Sequence, residues 1–373
     1  MCLYLALMLN KRRRFVKYVE LPFRLEYNKN MPNENKKILL FDFGMGDARA
    51  ALVEKNENTI NFLTFSQENF ALEQKELVLK DATEVCAKLK DDLYTKSGQE
   101  AEKIIIGLPS SFVECVSLNE KFKRDDPDKK ISAEELKKIE KALVGLAYKK
   151  LEESKELKEK NLDHIYTDFN CYNINGYQID NILNKTGSEI EISAVVNFIS
   201  RSDHDFLNHT LIKNLSLPIT KILFSPLELS RLYKFKNPQF SAIIMYITQK
   251  SSTLVLAQKN ALSHIEAWPE GLEQILEEKS GSAFEKQLEV YLKKISIFGS
   301  PPKEILLAGL GAQESVKEIL THHTLPENLT FNTLNLQNLK LDPEKYKCFG
   351  EKDTLEKNLS IIALGENLIN YGI

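Results

Sequence analysis

Twice in this sequence an apolar run meets a short polar turn, resumes as a second apolar run and is followed by a third. The first instance is Ile38 to Phe41, the turn residues Gly44, Gly46 and Asp47, then Ala50, Leu52 and Val53, then Ile60 to Phe65. The second, about 200 residues later, is Ala242 to Ile247, Thr253 to Ala257 and Leu262 to Ala267. Each reads as a hairpin with a third strand beside it. Two halves that open in the same order have the layout of an internal duplication, which restricts the chain to folds with two related lobes. The unbroken run Lys103 to Leu108, closed by Pro109, predicts a strand buried on both faces, and Glu304 to Leu307 repeats that texture in the second half. Glu76 to Leu79 reads as a further short strand, whereas Val85, Leu89 and Leu93 recur at helical spacing over Ala82 to Tyr94. Strands alternating with helices predict an α/β layer.

From Ser111 the texture changes. Phe112 to Phe122 is extended in pattern, and Asp125-Asp126-Pro127-Asp128 marks a loop. Ser132 with Glu135 three residues on has capping-box spacing and opens a helix through Leu136, Ile139, Leu143 and Leu146. His164 to Ile174, the turn Asn175-Gly176-Tyr177 and Ile190 to Ser200 predict strands, so a small α+β module interrupts the first half. A helix over Phe206 to Leu215, a strand over Ile219 to Phe224 and a helix over Pro226 to Tyr233 lead back. The second half continues with helices over Leu272 to Leu276, Phe284 to Ile295 and Ser315 to Leu320.

Bulk properties exclude several classes. With 373 residues, 43% apolar and 28% charged, and only 15 Gly and 12 Pro, the chain is globular and long enough for two or three folding units. Its formal charge of -3 lacks the footprint of a protein that wraps a phosphate backbone, so nucleic acid is not expected as a partner. Five scattered cysteines without a CxxC pair read as reduced thiols of the cytoplasm, and His322-His323 has no ligand at metal-binding spacing. The apolar stretch Met1 to Asn10 precedes Lys11-Arg12-Arg13-Arg14, the reverse of a secretory signal, and falls short of the about 20 residues of a spanning helix. Two readings of residues 1 to 30 stay open: an extension foreign to the native protein, which would start at Met31, or a short interfacial anchor.

Two segments can carry chemistry. Backbone N–H groups converging at a glycine turn hold a phosphate, and an adjacent carboxylate orients a metal or water. Asp42-Phe43-Gly44-Met45-Gly46-Asp47 offers both at a strand end, although the same residues suit an ordinary hairpin turn. In Ile305-Leu306-Leu307-Ala308-Gly309-Leu310-Gly311-Ala312 the glycines would let a flat base lie against the backbone, and a plain strand-to-helix turn is the alternative.

In order and separation these segments resemble the actin-like ATPase superfamily, a ribonuclease H-like duplicated α/β fold. The resemblance implies a first phosphate loop of Asp-x-Gly type, matched by Asp42 and Gly44 with Gly46 beside them, and an adenosine loop matched by Gly309 and Gly311. Ser132 to Leu146, Tyr172 to Tyr177, Gly187 and Glu189 to Ile199 are similar to the SHS2 subdomain of the FtsA and PilM branch. The implied organisation is an extension over 1–36, a first lobe over 37–110, the inserted SHS2-like module over 111–202, a return over 203–240, a second lobe over 241–345 and a closing helix over 346–373 that includes Ser360 to Gly365. The second phosphate loop should fall at Met245 to Thr253, where the family's aspartate is replaced by Met245 or a neighbour and both glycines are absent. Ser251, Ser252, Thr253 and Lys250 are left to meet a phosphate.

ATP with magnesium, the metal held through Asp42, is the expected cofactor, with binding weak or lost; no catalytic residue is identified, so the chain reads as a degenerate ATPase or pseudo-ATPase. The leading role implied is an FtsA-like division adaptor linking a cytoskeletal filament to the inner face of the cell membrane, with self-polymerisation. The alternative is a PilM-like cytoplasmic scaffold of type IV pilus assembly, and a third reading is a kinase on the same core, which would need an intact second loop. Partners are division or pilus-assembly proteins. Because Glu366 to Ile373 is too short and too uncharged for a targeting helix, membrane association is expected to be indirect.

Overall fold

The computed structural model describes residues 36–371 except 45–46, 58, 70–74, 154–160, 180, 240, 250, 259–260, 278–281, 297–299, 323–328 and 351. The extension before residue 36, Gly46 and Lys250 therefore lie outside the described residues.

Among the described residues, two of the three sheets share one topology. In the first, β1 (Lys36–Phe43), β2 (Asp47–Lys55) and β3 (Ile60–Asn69) form an antiparallel meander, and β4 (Lys103–Leu108) and β9 (Ile219–Phe224) continue in parallel on the other side of β1. The second repeats that order with β10 (Ala242–Ile247), β11 (Ser252–Gln258), β12 (Ala261–Trp268), β13 (Glu304–Gly309) and β14 (Thr330–Thr333). Strand order from edge to edge is third, second, first, fourth, fifth in each. The central strands carry long apolar runs because both faces are covered, as Ile104, Ile105 and Ile106, all fully buried, illustrate.

The third sheet, antiparallel, holds β5 (Val113–Lys123), β6 (Leu162–Ile174), β7 (Tyr177–Ile179) and β8 (Glu189–Ser200) in the order β5-β8-β6-β7. Strand alternation splits its two faces. Ile190, Ile192, Ala194, Val196 and Phe198 pack under α2 (Ala133–Glu153), which contributes Ile139, Leu143, Ala147 and Leu151, whereas Val195 and Ile199 join the core of the first lobe. The Asn175-Gly176 turn has positive φ at both residues, 50° and 82°, as a two-residue hairpin requires. Ser132 caps α2, accepting from the Glu135 N–H at 3.2 Å, and the Glu135 carboxylate takes the Arg124 fork at 2.7 and 3.0 Å.

Among the helices, α1 (Lys75–Ser97) includes Glu76 to Leu79, expected above as a strand. A short apolar run carries no period of its own, and here it simply continues into the periodic stretch after it. The helix expected from Phe206 starts earlier: α3 runs from Arg201–Phe206 through a π turn at Leu207–Leu211 into Ile212–Leu215, with Ser200 accepting from the Asp203 N–H at its start. It ends at Ser216 in the left-handed region. Next come α4 (Ser225–Lys236), α5 (Leu272–Glu277), α6 (Ser282–Ile295), α7 (Glu314–His322), α8 (Lys352–Lys357) and α9 (Leu359–Glu366).

Helix α9 is apolar all round because it is covered all round: Leu359 to Gly365 are buried, and it packs on α4, β1, β2, β3 and β13. It thereby joins the two lobes. A single apolar core runs from Ile38, Leu40 and Phe41 of β1 through Ile361 to Leu364 and on to Ile244, Tyr246, Leu306 and Ala308 of the second sheet. The alternate residues Ile243, Met245 and Ile247 face the other way, into a second core under Trp268, Phe284, Leu288 and Tyr291. Among the described residues no helix is long and apolar enough to cross a membrane.

Candidate functional site between the two lobes

The two hairpins approach one another at the floor between the lobes, where Tyr246 of the second lies near Asp42 and Arg49 of the first. In the first, Asp42 pairs with Arg49 across β1 and β2, one step before the last pair, Phe43 with Ala48. In the second, the last pair is Ile247 with Ser252, and one step before it stand Tyr246 and Thr253. With four residues in each turn, Tyr246 is the counterpart of Asp42 and Thr253 the counterpart of Arg49. The position expected at Met245 or a neighbour is thus Tyr246 in this register.

Asp42 is fully buried, and both of its oxygens are held by the protein. Ser225, the first residue of α4, donates to Oδ1. Ser360 of α9 donates to Oδ2, which also faces Arg49 Nη1 at 3.4 Å. Arg49 in turn donates from Nη1 to Ser360 Oγ at 3.2 Å and from Nε to Asp47 Oδ2 at 2.8 Å. Burial pushes the Asp42 carboxyl above its usual range, while Arg49, Ser225 and Ser360 pull it back. Burial likewise works against the charge on Arg49, but Asp47, Tyr246 and Asp42 outweigh it and its pKa rises. Tyr246 is buried beside this cluster, and burial with the nearby Asp42 charge pushes its hydroxyl up to about 12. Gly107, beside Asp42 on β4, makes room for this arrangement: a Cβ there would lie 2.4 Å from Ser225 Oγ and 3.0 Å from Asp42 Oδ1.

The turn of the second hairpin is closed by its own atoms. Thr248 N–H donates to Ser251 O at 2.8 Å, and the Thr248 and Ser251 hydroxyls lie 2.9 Å apart. Ser251 also reaches Ser110, beyond the end of β4, at 3.2 Å, so one hydroxyl pair joins the lobes. Ser252 donates to Glu270 O at 2.7 Å. Thr253 Oγ1 is buried and has no hydrogen-bond partner among the described residues. Gly271 packs so tightly on this turn that a Cβ would lie 2.4 Å from Ser251 N.

The remaining expected residues fall in the same place. Gly44 N–H donates to Asp47 O at 2.8 Å, an ordinary closure of the first turn. Gly309 has φ of 65° and sits against Ile247 O and the Tyr246 ring, 2.6 and 3.2 Å from where its Cβ would be. Gly311 packs on the Ile247 side chain. The Tyr246 ring thus lies between Gly309 on one side and the Asp42 cluster on the other. A metal bound by Asp42 would have to displace Arg49 or a serine hydroxyl, and the hydroxyls of Ser251 and Ser252 are already engaged; of the expected side-chain ligands among the described residues, Thr253 Oγ1 is left without a partner.

Arg49, Ser225 and Ser360 were not picked out from the sequence, and Tyr246 only as a neighbour of Met245, although two of them leave a trace in it. Arg49 interrupts the apolar stretch Ala48 to Val53, and Ser360 interrupts Leu359 to Leu364. A polar residue inside an otherwise apolar element is the mark of a buried, paired group.

No protein-family model matches this sequence, and no curated protein matches it. Solved structures do resemble it. A PilM-PilN complex of type IV pilus biogenesis aligns with 12% identity and a TM-score of 0.62, covering 91% of this chain and 99% of the other. A Bacteroides thetaiotaomicron protein described as having an actin-like ATPase fold aligns with 11% identity and a TM-score of 0.44, covering 83% and 97%. The ethanolamine utilization protein EutJ of Carboxydothermus hydrogenoformans aligns with 10% identity and a TM-score of 0.45, covering 90% of each chain. Likeness at such identities speaks to fold alone, and the first of the three spans nearly the whole of both chains. The chain has the actin-like ATPase fold.

Proposed function

We propose that this protein is a PilM-like scaffold: an actin-fold protein that holds a partner protein of type IV pilus assembly, or of a related machine at the inner face of the cell membrane, without turning over ATP. The observation that carries the reading is the engagement of both Asp42 oxygens by Ser225, Ser360 and Arg49. Hydrolysis by metal-assisted attack needs a carboxylate free to hold the metal and its water. In this proposal Asp42 is a structural anion, Ser251 and Ser252 shape a turn, and Gly309 and Gly311 serve packing, leaving ATP binding weak or lost. The module around β5, β6, β7, β8 and α2 is read as an SHS2 subdomain. Support for the pilus reading over a division adaptor comes from the likeness to PilM across the length of both chains, in a structure where PilM is bound to PilN.

The test is co-purification of the full chain with cytoplasmic tails of pilus-assembly membrane proteins, run beside a tubulin-like filament protein, together with a phosphate-release assay. Capture of a pilus-assembly tail with no phosphate release is expected. Capture of the filament protein instead, or ATP turnover abolished by Asp42→Asn, would defeat the proposal.

A further inference from the structure

We infer that Arg49 is the resident cation of this floor and that the Asp42-centred cluster pins the two lobes at one angle without any bound nucleotide or metal. The inference deepens the scaffold reading at the same site but does not depend on which partner is held. Five elements converge: Asp42 from β1, Arg49 from β2, Ser225 from α4, Tyr246 from β10 and Ser360 from α9. All five side chains are buried, the most exposed being Arg49 at 4%. One of them, Tyr246, comes from the second lobe, and it occupies there the place that Asp42 occupies in the first. The counterpart of Asp42 thus stands near the Asp42 and Arg49 charges, and Ser360, bonded to both of those groups, lies on a helix packed against β1 of the first sheet and β13 of the second.

Charge accounting supports the same role. A buried carboxylate needs an opposite charge and donors on both oxygens. Here the guanidinium and two hydroxyls supply these, and Asp47 takes the rest of the Arg49 fork. Moving the lobes apart would pull α9 from β13 and Ser110 from Ser251, and would split an apolar core that runs through both lobes. A packed interior of this kind does not deform continuously.

The experiment uses the full chain, followed by thermal melting and by hydrogen–deuterium exchange of β1, β10 and α9, with magnesium chloride alone and with magnesium-ATP at millimolar concentration. Wild-type protein is expected to show the same midpoint and the same protection in all conditions. Arg49→Met should lower the midpoint by roughly 5–10 °C, because it leaves a buried carboxylate uncompensated, and Asp42→Asn combined with Arg49→Met should recover most of that loss. Magnesium or magnesium-ATP protection of the wild type that disappears in Asp42→Asn would overturn the inference, as would a double variant no more stable than Arg49→Met. Should Arg49→Met fail to fold, the wild-type titrations and the double variant decide alone. Failure to capture a pilus-assembly tail would leave each of these readouts unchanged, so the two proposals fail separately.

Discussion

Replacing Gly271 with alanine probes whether the second hairpin turn is closed to a ligand. The added Cβ would stand 2.4 Å from Ser251 N and 2.6 Å from both the carbon and the oxygen of the Gln249 carbonyl, all backbone atoms that no side-chain rotation can move. Restoring ordinary contact at 3.4 Å requires the turn to withdraw by 3.4 − 2.4, or 1.0 Å. That withdrawal breaks the hydrogen bonds from Leu272 N–H to Thr248 O at 2.9 Å and from Glu273 N–H to Gln249 O at 3.1 Å. Overpacking costs about 1–3 kcal/mol and each lost bond about 1 kcal/mol, so Gly271→Ala should destabilise by about 3–5 kcal/mol. Urea denaturation measures the loss, and hydrogen exchange should show it first at residues 248–252. The control is Gly145→Ala in α2, where nothing lies within 4 Å of the new Cβ, so that helix propensity alone should stabilise by up to about 1 kcal/mol. A Gly271→Ala variant within about 0.5 kcal/mol of wild type, the range of ordinary surface substitutions, would refute the reasoning. The turn would then be free to move, and a phosphate could reach it.

Three further outcomes are expected. Burial pushes His164 down to about 4, so the folded state keeps it neutral while the unfolded chain protonates it near 6.5; stability present above about 6.5 is lost as pH falls towards 4, about 2 kcal/mol of it by pH 5, and urea melts of His164→Gln that fall as steeply as wild type would disprove this. Thr253→Val removes a buried hydroxyl that lacks a partner and should be neutral or stabilising by up to about 1 kcal/mol, whereas a loss of that size would reveal a bonding role. Arg124→Ala unties Glu135 at the start of α2 and the carbonyls of Gly187 and Lys129, and should cost about 2–3 kcal/mol, with faster exchange confined to that module; an unchanged melt would contradict it.

The two hairpins, the strands β4 and β13 and the inserted helix with its strands can be read from the sequence because each carries its own signal: an apolar run, a glycine turn or a capping serine. Where the signal is short the reading fails. Four residues of β14 leave no alternation to count, and Glu76 to Leu79 offers no period to separate strand from helix. The floor between the lobes is legible only in part for a different reason. Asp42 stands at a turn and draws the eye, but Ser225 and Ser360 are 183 and 318 residues from it, and nothing local announces that they meet. Gly271 is likewise invisible beforehand, since the close approach that demands glycine comes from a turn 20 residues earlier. Identifying Tyr246 as the counterpart of Asp42 depends on strand register, which the length of each turn sets.

The burial of α9 has a consequence for how the protein is made. Residues 359–366 cover a sheet whose first three strands end at Asn69, so 290 residues must be added before that surface is covered. At ribosomal rates of about 5–20 residues per second, the wait is on the order of 15–60 s. Throughout it the nascent first lobe exposes Leu40 and Phe62, side chains that Gly365 and its neighbours later cover. Completion of this core therefore waits on the synthesis of residues 359–366, and shielding of the growing chain until then is a condition of its yield.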